Sequence, residues 1–472
     1  MEDLEVEKKN VELEQTIIGE STDKDFSEQV DIEKSVKIKK YFRFVKYLGF
    51  ILLIMVLLSL FYLFIKISLR SNGQGKDKGE IVWWGIQHDL SVYKSLIDEY
   101  ERSHPNIKIR YEKQSEKDYQ VRLINSLASG KGPDIFEIHN TWPVVFRNEL
   151  AVMPESIMSR AEYEKSFYPI IVSNLSLQKG IVGIPLEYDA LALFINEDIF
   201  TSSLKSPPEF WDEVKPLAVE LTQAKDRKII MQSGVALGIT DNIDHWPEII
   251  GLMLLQNRVN PAKPEGYLAK SAITFYKDFS KANVWNNTLP KSTIAFARGE
   301  LAMYFGPTRR AREIIEANRN LKFRTVKLPQ IRKNNPNDPD YSYATYWVQG
   351  VSEKSNVKED AWKFLKFLAE EKSLVEINDN IAKIETFRRI YPRPYMNESL
   401  IQDPILGSVI NFAYDSGSFY LADNPTDGPN GINSLVNELY KKIVNSDVSE
   451  KTLRSRSQEL RQILSKYGLK IN

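Results

Sequence analysis

Three short runs of this 472-residue chain set aromatic rings beside hydrogen-bonding groups: His139-Asn140-Thr141-Trp142, Glu187-Tyr188-Asp189 and Thr240-Asp241-Asn242-Ile243-Asp244-His245-Trp246. Flat aromatic faces cover apolar C–H surface. Carboxylates and amides take up hydroxyls, the carboxylates through charge-assisted bonds. Together they suit a polyhydroxylated small molecule with apolar faces. Two bland roles compete at the first and third runs. Asn140 or Thr141 can cap a helix with Trp142 as packing, and Asp244 can be an N-cap with Pro247 in the first turn. Trp83 and Trp84 end an apolar run. Strand alternation sends them to opposite faces, so at most one of them lines a cleft, and both can be core. Phe305-Gly306-Pro307-Thr308 closes another apolar run, and Tyr346-Trp347 offers either stacking or core packing.

Other chemistries lack their residues. The four histidines, His88, His104, His139 and His245, have no metal-binding spacing, and there is no Gly-x-Ser-x-Gly, phosphate loop or dinucleotide glycine pattern. The chain has no cysteine, which removes disulfides, thiolate sites and a lipid-modified Cys anchor. No cofactor is implied. From Glu80 onward acidic and basic residues are equal in number, which argues against a nucleic-acid partner.

From Tyr47 to Ile65 nineteen residues pass without a charge, between Lys46 and Lys66. At about 1.5 Å per residue a helix of that length covers a hydrocarbon core of roughly 30 Å. The flank before it carries six basic residues and the flank after it four, so residues 1–46 are expected in the cytoplasm and the rest outside. The long leading segment and the exit Ile67-Ser68-Leu69-Arg70 fit an uncleaved anchor rather than a signal peptide. Residues 1–33 hold twelve acidic and three basic side chains and read as a disordered tail. Residues 66–79 read as a linker.

Beyond the linker, apolar runs alternate with helical periods. Ile81 to Trp84, Ile107 to Tyr111 and Asp134 to His139 read as strands. Helical spacing recurs at Val92, Leu96, Ile97 and Tyr100, and again at Tyr119, Leu123, Ile124 and Leu127. This β-α-β-α-β order predicts an α/β fold with a parallel sheet whose ligands sit beyond the strands' carboxyl ends. A second unit is expected from Ala190. It has strands at Leu191 to Asn196 and Ala302 to Phe305, and a helix after Pro207-Pro208 that Pro216 kinks or breaks. A region of this size predicts two lobes.

Seven segments, in order, carry a family resemblance. They are Ile81-Val82-Trp83-Trp84-Gly85 with Pro105-Asn106-Ile107-Lys108-Ile109; Ala128-Ser129-Gly130-Lys131-Gly132-Pro133-Asp134-Ile135; Gly183-Ile184-Pro185; Leu193-Phe194-Ile195-Asn196-Glu197-Asp198-Ile199-Phe200; Pro207-Pro208-Glu209-Phe210-Trp211-Asp212-Glu213; Phe296-Ala297-Arg298-Gly299-Glu300-Leu301-Ala302-Met303; and Ala361-Trp362-Lys363-Phe364-Leu365-Lys366-Phe367-Leu368. The set resembles the family 1 extracellular solute-binding proteins, the maltodextrin-binding-like receptors of ABC importers. The resemblance implies a two-lobed periplasmic-binding-protein (type II) fold with discontinuous lobes. Lobe 1 would be residues 80–189 plus 348–398, and lobe 2 residues 190–347 plus 399–472. It implies a monomer that captures a carbohydrate, an oligosaccharide, and delivers it to an ABC transporter permease without being an enzyme. By family position the ligand residues would be Trp84, Gly85, Asn140 and Trp142 in lobe 1, Asp189 at the junction, and Gly306 and Thr308 beyond it; the polar mix around one indole adds Asp241, His245 and Trp246, and Trp347 sits at the expected second crossing between lobes. For Asp189 a purely structural role at the hinge stays open. A cell-surface glycosidase using two of Asp189, Asp241 and Asp244, and a sensory ectodomain for a sugar, are the alternatives.

Overall fold

The computed structural model describes residues 55–59, 79–225, 229–333, 335, 337–423 and 425–469. The chain divides into two compact units, Met1–Asp77 and Lys78–Asn472. Of the first, residues 55–59 are described; they are helical and exposed. The rest of the expected span, the acidic tail and the linker up to residue 78 lie outside the described residues. Among the described residues no helix is long and apolar enough to cross a membrane.

The second unit is a two-lobed α/β structure built on two sheets. Its main strands are β1 (Glu80–Gly85), β2 (Lys108–Lys113), β3 (Ile135–His139), β4 (Leu191–Asn196), β5 (Ile230–Val235), β6 (Leu301–Pro307), β7 (Phe323–Val326) and β8 (Trp347–Val351). The first sheet has the order β8-β3-β1-β2. β1 pairs in parallel with β2 and β3, as the alternating pattern predicts, and every residue of β3 is buried. The chain then returns from the second lobe as β8, antiparallel to β3, with Trp347 opposite His139.

Two crossover helices connect the parallel strands. Helix α1 (Leu90–Ser103) buries Val92, Tyr93, Leu96, Ile97 and Tyr100, an apolar stripe at helical spacing. Helix α2 (Tyr119–Ala128) buries Tyr119, Leu123 and Leu127. Ile124, expected on that face, is exposed. Gln120 is buried instead, donating to Asp427 at 2.9 Å from a segment that arrives 307 residues later. Beyond α2 the chain turns at Gly130, whose φ of +71° suits a residue without Cβ. Trp83 lies in the core, edge-on to Tyr111 at 4.8 Å, with its indole N–H on Gln349 Oε1 at 2.9 Å. Trp84, on the opposite face, is half-buried and donates to Glu112 Oε2 at 2.6 Å.

The second sheet has the order β7-β4-β6-β5, extended by a two-residue strand, Gln223–Ala224. β4 and β6 are buried throughout. Helix α3 (Trp211–Leu221) runs through Pro216 without ending. The proline removes one backbone donor, and the flanking Trp211, Val214, Ala218 and Leu221 still bury a full stripe. Helices α4 (Trp246–Gln256) and α5 (Gly266–Asp278) cover this lobe, and α6 (Arg310–Ala317) follows β6. Helices α7 (Lys358–Leu368) and α8 (Glu371–Glu385) return to pack on α1 of the first lobe. The last two, α9 (Ile432–Asn445) and α10 (Glu450–Lys466), pack on each other and on α5.

Candidate functional site

Strand β6 ends at Pro307, and the next two residues wrap a buried carboxylate. Asp189 Oδ1 accepts from the backbone N–H groups of Ala190 (2.9 Å) and Thr308 (2.8 Å) and from Thr308 Oγ1 (2.7 Å). Its Oδ2 accepts from the backbone N–H of Arg309 at 3.1 Å and lies 3.4 Å from Arg309 Nη1. Arg309 Nη1 also donates to the Thr345 carbonyl at 3.2 Å, and Thr345 N–H donates to the Asp189 carbonyl at 3.0 Å. One carboxylate and one guanidinium thus tie together both segments that pass between the lobes. The sequence expectation placed Asp189 and Thr308 on a ligand; the structure brings them into contact with each other. Gly306 is the penultimate residue of β6, where a Cβ would lie 2.5 Å from Tyr304 Oη.

In the first lobe, His139 ends β3. Its ring lies 3.0 Å from Thr345 Oγ1 through Nε2 and 2.8 Å from Thr141 Oγ1 through Nδ1. Burial, and then the nearby Arg309 charge, hold its pKa down to about 3, so the ring is neutral. Trp347 stands edge-on to His139 at 5.4 Å and to Trp142 at 5.5 Å. Trp142 itself is fully enclosed, and its indole N–H donates to Asn433 Oδ1 at 3.0 Å. In this conformation it has no face to offer a ligand. Asn140 is also buried. It donates to Asn174 at 3.0 Å and accepts from the Tyr346 backbone at 3.3 Å. Gly85 ends β1, where a Cβ would meet the Tyr111 hydroxyl at 2.3 Å.

In the second lobe, His245 precedes α4 in a left-handed conformation with φ of +62°, an uncommon state for a residue with a Cβ. Three contacts hold it. Its N–H donates to Asp423 Oδ2 at 3.2 Å, and Glu248 Oε1, 3.1 Å from its Nδ1, also accepts from the Asp423 backbone at 2.9 Å. Arg310 Nε donates to its Nε2 at 2.8 Å, which requires that nitrogen unprotonated. Burial and then Arg310 lower the His245 pKa to about 3, and burial raises that of Glu248 to about 7. Trp246, the next residue, is buried at the start of α4. Asp244 Oδ2 is bonded to Thr293 N–H (3.0 Å) and Oγ1 (2.7 Å). Asp241 is exposed and pairs with Lys441 at 2.9 Å, so it stands apart from the cluster. Each of the three carboxylates offered for hydrolysis is therefore taken up by protein donors.

Sequence reasoning missed a buried charge cluster below these residues. His88 follows β1 and lies 3.2 Å from both Glu187 and Glu385. Arg389 pairs with Glu385 and approaches Glu187 at 3.4 Å. Arg312, on α6 of the second lobe, reaches Glu385 at 3.0 Å. Burial opposes protonation of His88, but the Glu187 charge and both hydrogen bonds outweigh it and raise its pKa to about 9. Burial likewise disfavours charge on Glu187, yet His88 and Arg389 pull its pKa down to about 2. Glu137 closes the cluster, accepting from the backbone N–H groups of Ile86 (2.6 Å) and Gln87 (3.0 Å). The one local signal was Arg309-Arg310-x-Arg312, one residue after a strand-ending Gly-Pro. Among the described residues no group of His, Asp or Glu is placed to hold a metal ion.

The Bacterial extracellular solute-binding protein family matches this chain over residues 84–374. A binding protein of Brucella abortus (strain 2308) is 21% identical over 320 residues, covering 64% of this chain and 75% of that protein. The Maltotriose-binding protein of Pyrococcus abyssi is 23% identical over 144 residues, 30% of each chain. Among solved structures, an ABC transporter solute-binding protein from Thermotoga lettingae, bound with α-D-tagatose, superposes with a TM-score of 0.64 at 19% identity, covering 82% of this chain and all of its own. An ABC substrate-binding protein from Listeria monocytogenes, in complex with cycloalternan, superposes at 0.62 with 16% identity, covering 82% of this chain and all of its own. These two share the fold. The family match spans more than half of the chain and both sheets, and the chain belongs to the bacterial extracellular solute-binding proteins.

Proposed function

We propose that this protein is a membrane-tethered receptor that captures an oligosaccharide outside the cytoplasm and hands it to an ABC importer. The observation that carries this reading is the convergence of strand ends from both lobes. β1 ends shortly before His88, β3 at His139, and β6 just before Thr308 and Arg309, and bonds join the lobes there through Arg309 to Asp189 and Arg312 to Glu385. Ligands of open α/β sheets bind beyond the carboxyl ends of strands. A solute touching both lobes stabilises the closed form by its differential affinity, which is hinge closure. The lobes divide as 80–189 plus 348–398 and 190–347 plus 399–472, and the protein acts as a monomer.

Support for a sugar comes from what the similar proteins are named for: maltotriose, tagatose and cycloalternan. On this reading Trp347 and Trp246, both buried here, supply the indole faces that stack on it. The tether is the uncharged stretch 47–65, which raises the receptor's local concentration at the permease. Calorimetric titration of residues 80–472 with mono- and oligosaccharides tests the reading. Binding heat, with a melting temperature that climbs with ligand excess, supports it. A screen with neither heat nor shift removes it. For the tether, the full chain should sediment with membranes and the chain lacking residues 1–65 should not.

A further inference from the structure

Arg309 is fixed at the crossing of the two lobes by one side of its guanidinium only. Nη1 bonds Asp189 and Thr345, whereas Nε and Nη2 make no hydrogen bond among the described residues. The side chain keeps 22% of its surface open. One two-pronged edge of a planar fork is therefore presented, rigidly held, immediately beyond the carboxyl end of β6.

Most acceptors around it are already occupied, the buried Glu248 Oε2 being an exception. Asp189 takes five protein donors. His139 and His245 are neutral rings, each bonded through both nitrogens. Glu187 and Glu385 are matched by His88 and Arg389. Glu137 accepts from two backbone N–H groups and from Gln349. The partly exposed capacity left on Arg309 is donor, and it is charged. A neutral sugar needs acceptors for its hydroxyl hydrogens. An acidic one brings the acceptor itself, and a guanidinium edge binds a carboxylate or sulfate through two parallel charge-assisted bonds.

We propose that Arg309 is the specificity-determining residue of the site and that the solute is an acidic saccharide, its anionic group seated on the Nε–Nη2 edge. The proposal rests on the solute-receptor reading above. The experiment is calorimetric titration of the purified full-length chain in detergent with trigalacturonate, a sulfated disaccharide and maltotriose, at low and high salt. At least one acidic saccharide should bind roughly 10- to 100-fold more tightly than maltotriose, the range of a charged hydrogen-bonding group. That advantage should shrink with added salt, persist in part in Arg309→Lys and vanish in Arg309→Gln. Thermal melting checks that the variants fold; if Arg309→Gln does not, the wild-type preference and its salt dependence decide. Binding of maltotriose without the acidic probes, or an acidic preference that survives Arg309→Gln, overturns the proposal and leaves the receptor reading standing. No binding of any of the three overturns both.

Discussion

A carboxylate that accepts five hydrogen bonds from its own chain keeps no lone pair for a ligand, and Asp189 acts instead as the anchor of the Thr308-Arg309 turn. Asp189→Ala would leave two buried backbone N–H groups and the Thr308 hydroxyl unpaired. It should lower stability by about 2–4 kcal/mol, read from the urea midpoint. It should also weaken ligand binding, because Arg309 loses its seat. His88 makes a second residue-scale prediction, in pH. Its folded pKa of about 9 lies above the ordinary 6.5. Its contribution is therefore complete below pH 6.5 and is lost as the pH rises through 9, an effect on the order of 3 kcal/mol. Glu187, held near 2, has the opposite sign: its contribution is present above pH 4.5 and fades as the pH falls toward 2. Melting temperatures taken between pH 6.5 and 9.5 should fall in the wild type and stay nearly flat in His88→Gln. An equal fall in both would assign the alkaline loss to another group.

At the scale of elements, close approach governs tolerance. Gly251 lies in α4, where a Cβ would come 2.5 Å from the Tyr343 ring. That ring cannot swing away freely, because its hydroxyl donates to the Leu421 carbonyl at 2.7 Å and accepts from Phe419 N–H at 3.0 Å. Gly251→Ala gains helix propensity of about 1 kcal/mol. It still should destabilise overall by roughly 1–2 kcal/mol, because overpacking costs more, and a denaturation midpoint at or above wild type would contradict this. The same elements show what periodicity reveals. The parallel arrangement of β1, β2 and β3 was legible because fully buried strands read as apolar runs and their crossovers as 3.6-residue stripes. The strand Leu191–Asn196 was legible to the residue. Gln223–Ala224 was not, since a two-residue strand exists only through its partner in register. Ile124 was misplaced because a helix that meets a distant segment turns its polar Gln120 inward. At the site, Asp189 and Thr308 were marked but Arg309, the next residue, was passed over. His88 and Glu385 are 297 residues apart and no local pattern joins them.

The molecule as a whole closes through contacts that differ in how many partners they have. Glu385 holds three cations: His88 and Arg389 within its own lobe, and Arg312 from the other. Removing Arg312 leaves Glu385 with both buried partners, so folding stability should change little, as for other half-exposed ion pairs worth at most about 1 kcal/mol. What changes is the balance between lobes, since this pair is satisfied only when they are close. A loss of that size shifts an open–closed equilibrium by at most about fivefold, and ligand affinity falls by the same factor because less closed protein awaits the ligand. Arg312→Ala is therefore expected to melt within about a degree or two of wild type, to bind roughly two- to fivefold more weakly, and to show a larger radius of gyration without ligand in small-angle X-ray scattering. Glu385→Ala should behave differently. It leaves two buried cations, His88 and Arg389, to share Glu187 alone and should cost several kcal/mol of stability. If Arg312→Ala instead melts as early as Glu385→Ala, the cross-lobe pair is part of the fold's core charge cluster and not a latch on closure.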